Sequence, residues 1–137
     1  GSVWVLDSLN EARIFSGRLT YDKGAAIIHT IRYIINNDNL FFDALKDFQL
    51  TYAHSTATGL DFKNHVANFC NLDLDAFFEQ WYFGEGYPTY QVSYNQVGND
   101  LVLQISHTSS MPNVTPTFTN PINLRLQRAA LSKKNDS

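Results

Sequence analysis

The sequence predicts an α+β fold: an N-terminal array of four helices followed by a small antiparallel β lobe of about three strands. Three observations carry this. Up to Phe83 the apolar residues recur at helical spacing. From Pro88 onward they alternate with polar ones. Between the two regimes, Gly84-Glu85-Gly86-Tyr87-Pro88 gathers turn residues at the single point where the pattern shifts.

The first strong helix is expected over about Asp22 to Asn36. Ile27, Ile31 and Ile34 form one apolar stripe, and Ile28, Ile31 and Ile35 form its neighbour. So broad a face implies contact with more than one other element. Asp22 suits the positive end of the helix dipole. Asn36-Asn37-Asp38-Asn39 stops this helix and caps the next, over about Leu40 to Tyr52, with Phe41, Leu45, Phe48 and Tyr52 at helical spacing. Thr58-Gly59-Leu60-Asp61 resembles a capping box with Asp in place of Glu. It opens a third helix carrying Phe62, Val66 and Phe69. Asp73 is placed to cap a fourth, crowded with Phe77, Phe78, Trp81 and Tyr82, and Gly84 is a plausible C′ residue.

After Pro88, Tyr90, Val92 and Tyr94 alternate with Gln91 and Ser93, and Leu101, Leu103 and Ile105 alternate with Val102, Gln104 and Ser106. Gly98-Asn99-Asp100 lies between them, which reads as a hairpin. Ile122, Leu124 and Leu126 alternate with Asn123 and Arg125 and suggest a third strand. Three strands apolar on one side need a second sheet or a helical neighbour as cover. The organisation expected is a helical part over 3–86, a partial β part over 87–128 and a tail over 129–137.

With 137 residues the chain suffices for one ordinary domain or two small lobes. Apolar residues at 44% can build a core, which argues against wholesale disorder. A net charge of −3 without a basic stripe excludes a nucleic-acid footprint. The apolar runs fall far short of the roughly 20 residues that cross a bilayer, so no membrane partner is expected. Gly1-Ser2 reads as a cloning scar and Val3 to Leu6 is too short for a signal peptide, so the expectation is an excised piece. The compartment is left open, an extracytoplasmic one (periplasmic or secreted) included. One cysteine, Cys70, rules out an internal disulfide and reads as a small buried hydrophobe.

Candidate chemistry is sparse. His29-Thr30-Ile31-Arg32-Tyr33 has the outline of a zinc-protease helix, but Thr30 stands where the Glu belongs and Tyr33 where the second histidine belongs. No ligand spacing links His54 and His65, and the chain by itself is expected to hold no metal. Cys70 and His65 lie five residues apart on one helix and so point about 140° apart. Glu79 sits among aromatics, where burial could raise its pKa, although a solvated face is the simpler reading. Tyr21, just before the isoleucine-rich helix, has two readings. It is an aromatic staple, or it is a phenol offering an O–H to a developing oxyanion. Gly24 would let another backbone approach the first turn closely.

The order of several short motifs resembles the M1 family of zinc aminopeptidases, the gluzincin group. These are Tyr21-Asp22-Lys23-Gly24-Ala25, then His29-Thr30-Ile31-Arg32, then Leu40-Phe41-Phe42-Asp43-Ala44-Leu45-Lys46. Ala57-Thr58 with Asp61-Phe62, Asp75-Ala76-Phe77-Phe78-Glu79-Gln80-Trp81 and Gly86-Tyr87-Pro88 follow. The likeness covers about residues 18–126. It implies that the helices are the C-terminal part of a thermolysin-like catalytic domain and that the strands open the β-sandwich domain after it. It also implies that Tyr21 is the catalytic tyrosine, whose hydroxyl stabilises the tetrahedral intermediate formed when zinc-bound water attacks a peptide carbonyl. Zinc would be the cofactor of the full-length parent, and a peptide its substrate. The family's His-Glu-x-x-His, its downstream Glu and its Gly-x-Met-x-Asn segment would precede residue 1. The isolated chain is therefore expected to bind no zinc and to be inactive. The competing class is a non-catalytic interaction module of the same fold. Without the zinc-bearing half, self-association is expected through a bared helix face of Ile27, Ile31 and Ile34 or through a free strand edge.

Overall fold

The computed structural model describes residues 1–125. A short helix α1 (Glu11–Ile14) leads into a π-helical turn (Gly17–Lys23), which continues without a break into α2 (Gly24–Ile35). Then come α3 (Asp38–Thr51), α4 (Gly59–Cys70) and α5 (Asp75–Phe78), the last extended by a second π-helical turn (Glu79–Phe83). Strands β1 (Pro88–Val97) and β2 (Asp100–Ser109) form an antiparallel hairpin. Among the described residues no helix is long and apolar enough to cross a membrane.

The caps follow the sequence. Asn36 takes the left-handed conformation at the end of α2, φ 50°, and Asn37 opens α3 by accepting from the Leu40 N–H. Thr58 and Asp61 form a reciprocal capping box at the start of α4. The Thr58 hydrogen bonds hold the Asp61 carboxyl below the usual carboxylate range. Asp73 does not occupy the N-cap of α5, which falls to Leu74, but its carboxylate still accepts from the Asp75 N–H at 2.8 Å. Gly84 is not a left-handed C′ residue, since its φ of −73° suits any side chain. A Cβ there would instead collide with the Gln80 carbonyl and the Thr115 hydroxyl. The glycine is thus required by crowding rather than by conformation.

The core is one cluster: Ile27, Ile31, Phe41, Val66, Leu74, Phe77 and Phe78. Ile34, Ile35 and Leu45 pack at its margin. The isoleucine stripe is therefore covered within the chain, with Ile31 fully buried and Ile27 nearly so. This corrects the expectation of a bared α2 face. The helices α3, α4 and α5 supply the cover that the sequence reading had assigned to a missing half.

The hairpin is regular, with Val92 opposite Ile105 and Tyr94 opposite Leu103. A two-residue turn, Gly98-Asn99, closes it, and Gly98 has the positive φ of 62° that the first central position of a II′ turn needs. Among the described residues the sheet has two strands rather than about three. Ile122 and Leu124 lie in a segment without strand structure, and Leu126 and the 129–137 tail fall outside the described residues. The physical reason is visible between Thr115 and Asn120. This segment folds back as a strap, burying Phe118 against Trp81 at 5.0 Å between ring centres. The Gln80 side-chain carbonyl accepts from the Thr119 N–H at 2.8 Å, and His107 Nε2 accepts from the Phe118 N–H at 3.2 Å. Side chains, not a third ladder, satisfy the strap's backbone.

Ile31→Ala should cost about 2–5 kcal/mol, because it opens a cavity at a fully buried point contacted by several helices. Chemical denaturation with an unchanged m-value would check it.

Candidate active site

Tyr21 lies inside the first π-helical turn rather than just ahead of a helix. Ser16 starts the turn: its hydroxyl accepts from the Leu19 N–H and its carbonyl accepts from the Thr20 N–H at 2.8 Å. The same carbonyl takes the Tyr21 N–H at 3.4 Å, the i→i−5 bond that defines the π register. The Gly24 N–H returns to the Tyr21 carbonyl. Tyr21 is 56% exposed and is not part of the buried core cluster.

Two basic residues tie this turn to the rest of the chain. The Arg13 guanidinium donates to the Ser2 carbonyl at 2.6 Å and to the Trp4 carbonyl at 3.0 Å, and reaches the Thr20 hydroxyl at 3.4 Å. The Lys23 ammonium donates to the Gly1 carbonyl at 3.0 Å and to the Gly84 carbonyl at 2.9 Å. Burial pushes the Lys23 pKa down, and the nearby Glu85 carboxylate offsets part of that. Neither tie was visible in local sequence pattern, because each joins positions far apart in the chain. Gly24 has no neighbour within 4 Å of where a Cβ would stand, so among the described residues no backbone makes the close approach the sequence suggested.

The zinc-like motif straddles α2: Ile31 is buried in the core, while His29 and Tyr33 lie on the exposed side. His29 is exposed and lines a cavity of about 500 Å³ with Arg32, Tyr33, Asn36 and Asp38. Arg32 is committed to a two-point ion pair with Asp38, at 2.8 and 2.6 Å, and lies 5.2 Å over the Phe42 ring. Among the described residues no three of His, Cys, Asp and Glu converge on a point that could hold a metal ion. The donor set a zinc ion needs is thus not assembled by these residues.

His65 and Cys70 do not form a pair. His65 lies between α3 and α4 among Phe48, Tyr52 and Phe69. Its Nε2 is 3.1 Å from an Asp47 carboxylate oxygen but off the line of a hydrogen bond, so the two groups are merely close. Burial raises the Cys70 thiol pKa, which makes it a poorer nucleophile at neutral pH. Glu79 is exposed, in keeping with a solvated helix face.

Comparison with known proteins fits this arrangement. The model of the peptidase family M1 domain matches residues 4–81, more than half of the chain and the whole span from Trp4 to Trp81. A probable aminopeptidase 2 of Sulfurisphaera tokodaii is 30% identical over 77 residues, covering 56% of this chain. The match spans only 10% of that relative's length. No solved structure matches the chain.

The Lys23 environment makes a pH prediction. Its folded-state pKa lies below 10.5, so between the two values the unfolded chain binds more protons than the folded one. Stability should therefore rise with pH across that alkaline window. The rise should vanish in Lys23→Met, as read from paired denaturation curves of the two proteins.

Proposed function

This chain belongs to peptidase family M1, and we propose that it is part of a zinc aminopeptidase in which the Tyr21 hydroxyl stabilises the tetrahedral intermediate of peptide-bond hydrolysis. The observation that carries this is the placement of Tyr21, an exposed phenol held by a π turn at the entrance to α2. Attack on a peptide carbonyl moves negative charge onto its oxygen. A neutral phenol donates to that oxygen without bringing a charge that would also grip the ground state. Its donor strength comes from geometry, since the turn fixes where the O–H can reach.

The zinc of such an enzyme finds no ligand set among the described residues, so these residues do not fit the metal. The proposal places those ligands outside this chain. It follows that the chain alone does not hydrolyse peptides. Substrates are peptides with a free N-terminus, a reading supported by the aminopeptidase name of the archaeal relative.

The proposed self-association moves from α2 to the hairpin. Tyr90, Val92 and Tyr94 share one face with Leu101, Leu103 and Ile105, and Val92 and Tyr94 are more than half exposed. From Pro88 to Ser109 the one carboxylate or cationic Lys or Arg side chain is Asp100, so neither edge carries the charges that block strand addition. The occupant proposed is the hairpin edge of a second copy. Sedimentation equilibrium should show a dimer that Tyr94→Lys converts to monomer; a monomer at every concentration would discard it.

For the catalytic reading, Tyr21→Phe in the full-length enzyme should lower kcat by about 10²–10³ with KM nearly unchanged, the loss typical of one oxyanion donor. An unchanged kcat would remove Tyr21 from the mechanism. The isolated 137-residue chain, supplied with zinc, should release no amino acid from peptides.

A further inference from the structure

None of the seven residues of the turn Gly17–Lys23 is buried, so core packing does not fix where Tyr21 points. The turn's own π hydrogen bond at Tyr21 is long, 3.4 Å. A π turn holds one residue more per turn than an α turn. Relaxation to α register would roll Tyr21 by about 100° around the axis of α2. Something outside the turn has to hold its roll.

The bonds available for this are few. The Arg13–Thr20 contacts are long, both at 3.4 Å. The Lys23–Gly84 bond is 2.9 Å and joins residues 61 apart in sequence. Its acceptor is a fixed point. Gly84 is buried at the exit of the second π turn, and the next N–H, that of Glu85, is held by the buried Thr115 hydroxyl at 2.9 Å. Both π turns of the molecule thus meet through one ammonium.

We propose that Lys23 is the positioning residue for Tyr21: its ammonium, bonded to the Gly84 carbonyl, locks the roll of the π turn so that the phenol keeps one orientation. The inference rests on the reading of Tyr21 as the oxyanion donor. The energetics support a positional rather than a stabilising role. Burial pushes the Lys23 pKa down despite Glu85, so the folded state holds this charge at a cost. A buried or half-buried charge that does not add stability can still specify geometry. A methionine of similar length would fill the space without the tie.

The test is a pair of measurements on Lys23→Met. In this chain, amide exchange at residues 19–23 should quicken while α3 and α4 keep their protection and global stability does not fall. In the full-length enzyme, Lys23→Met should lower kcat roughly ten- to a hundred-fold with KM retained, the scale of an ångström-sized misplacement. Added to Tyr21→Phe, the same change should cost nothing further, because there is no phenol left to aim. Equal losses in both backgrounds would mean a merely structural lysine and would overturn the proposal. So would unchanged exchange in the turn, with the role of Tyr21 left intact. Conversely, a Tyr21→Phe enzyme of normal kcat would defeat the Tyr21 reading itself, and positioning for catalysis with it.

Discussion

The burial of Ile31 sets the arrangement of everything else described. It lies in the second half of α2 and leaves no surface to solvent. A side chain that touches neighbours on all sides requires elements on more than one side of its helix. Phe41 from α3, Val66 from α4, and Leu74, Phe77 and Phe78 around α5 meet that requirement. The apolar stripe of α2 is broad because it serves several partners, and it leaves the opposite face to polar residues: His29 is exposed there and Arg32 pairs with Asp38. Within His29–Tyr33 the buried Ile31 and the exposed His29 and Tyr33 follow this amphipathic division.

The second organising point is the exit from the helices. The chain leaves α5 through a π turn and must become a strand within five residues. Gly84 allows the Thr115 hydroxyl to come against the backbone, and Thr115 in turn accepts the Glu85 N–H. Gln80 and Trp81, from the same π turn, receive the strap through Thr119 and Phe118. Helices and hairpin are thus joined by backbone groups satisfied through side chains, which is why the strap forms no ladder. At the other end, the Val3 and Trp4 N–H groups both donate to the Tyr82 carbonyl. The second π turn is consequently where the N-terminal segment, the Tyr21 turn and the strap all attach.

What the sequence revealed depended on how local the cause was. Helix spacing, the Thr58–Asp61 capping box and the Asn36–Asn37 boundary arise within a few residues and were read correctly. The hairpin was legible for the same reason, since a two-residue turn and alternating strands need only neighbouring positions. The third strand was not, because Ile122 and Leu124 alternate properly yet the strap's route is decided by Gln80 and His107, some 11 to 39 residues away. Gly84 looked like a helix stop, but its cause is Thr115, remote in sequence. The π turn escaped notice because a single extra residue barely disturbs apolar periodicity. Of the candidate site, the catalytic role proposed for Tyr21 is suggested only by the order of motifs. Its exposure, and the ties from Arg13 and Lys23, belong to tertiary structure.

A division of labour follows between core and site. The groups that stabilise this fold are apolar and sit on the inner faces of the helices, where substitution costs folding energy. The groups that tie the Tyr21 turn to the rest of the chain are polar, lie outside that cluster, and hold backbone carbonyls rather than pack. A phenol on a rigid, buried helix would be placed more firmly but could not face a substrate. One on a free loop would face it without a defined direction. A π turn without buried residues, anchored by charged side chains to fixed carbonyls, lies between these cases. It keeps Tyr21 exposed while, on the proposal above, the Lys23 ammonium supplies the direction that packing cannot. The half-buried ammonium that costs the folded state some stability is then understandable as the condition for an exposed donor with a fixed aim.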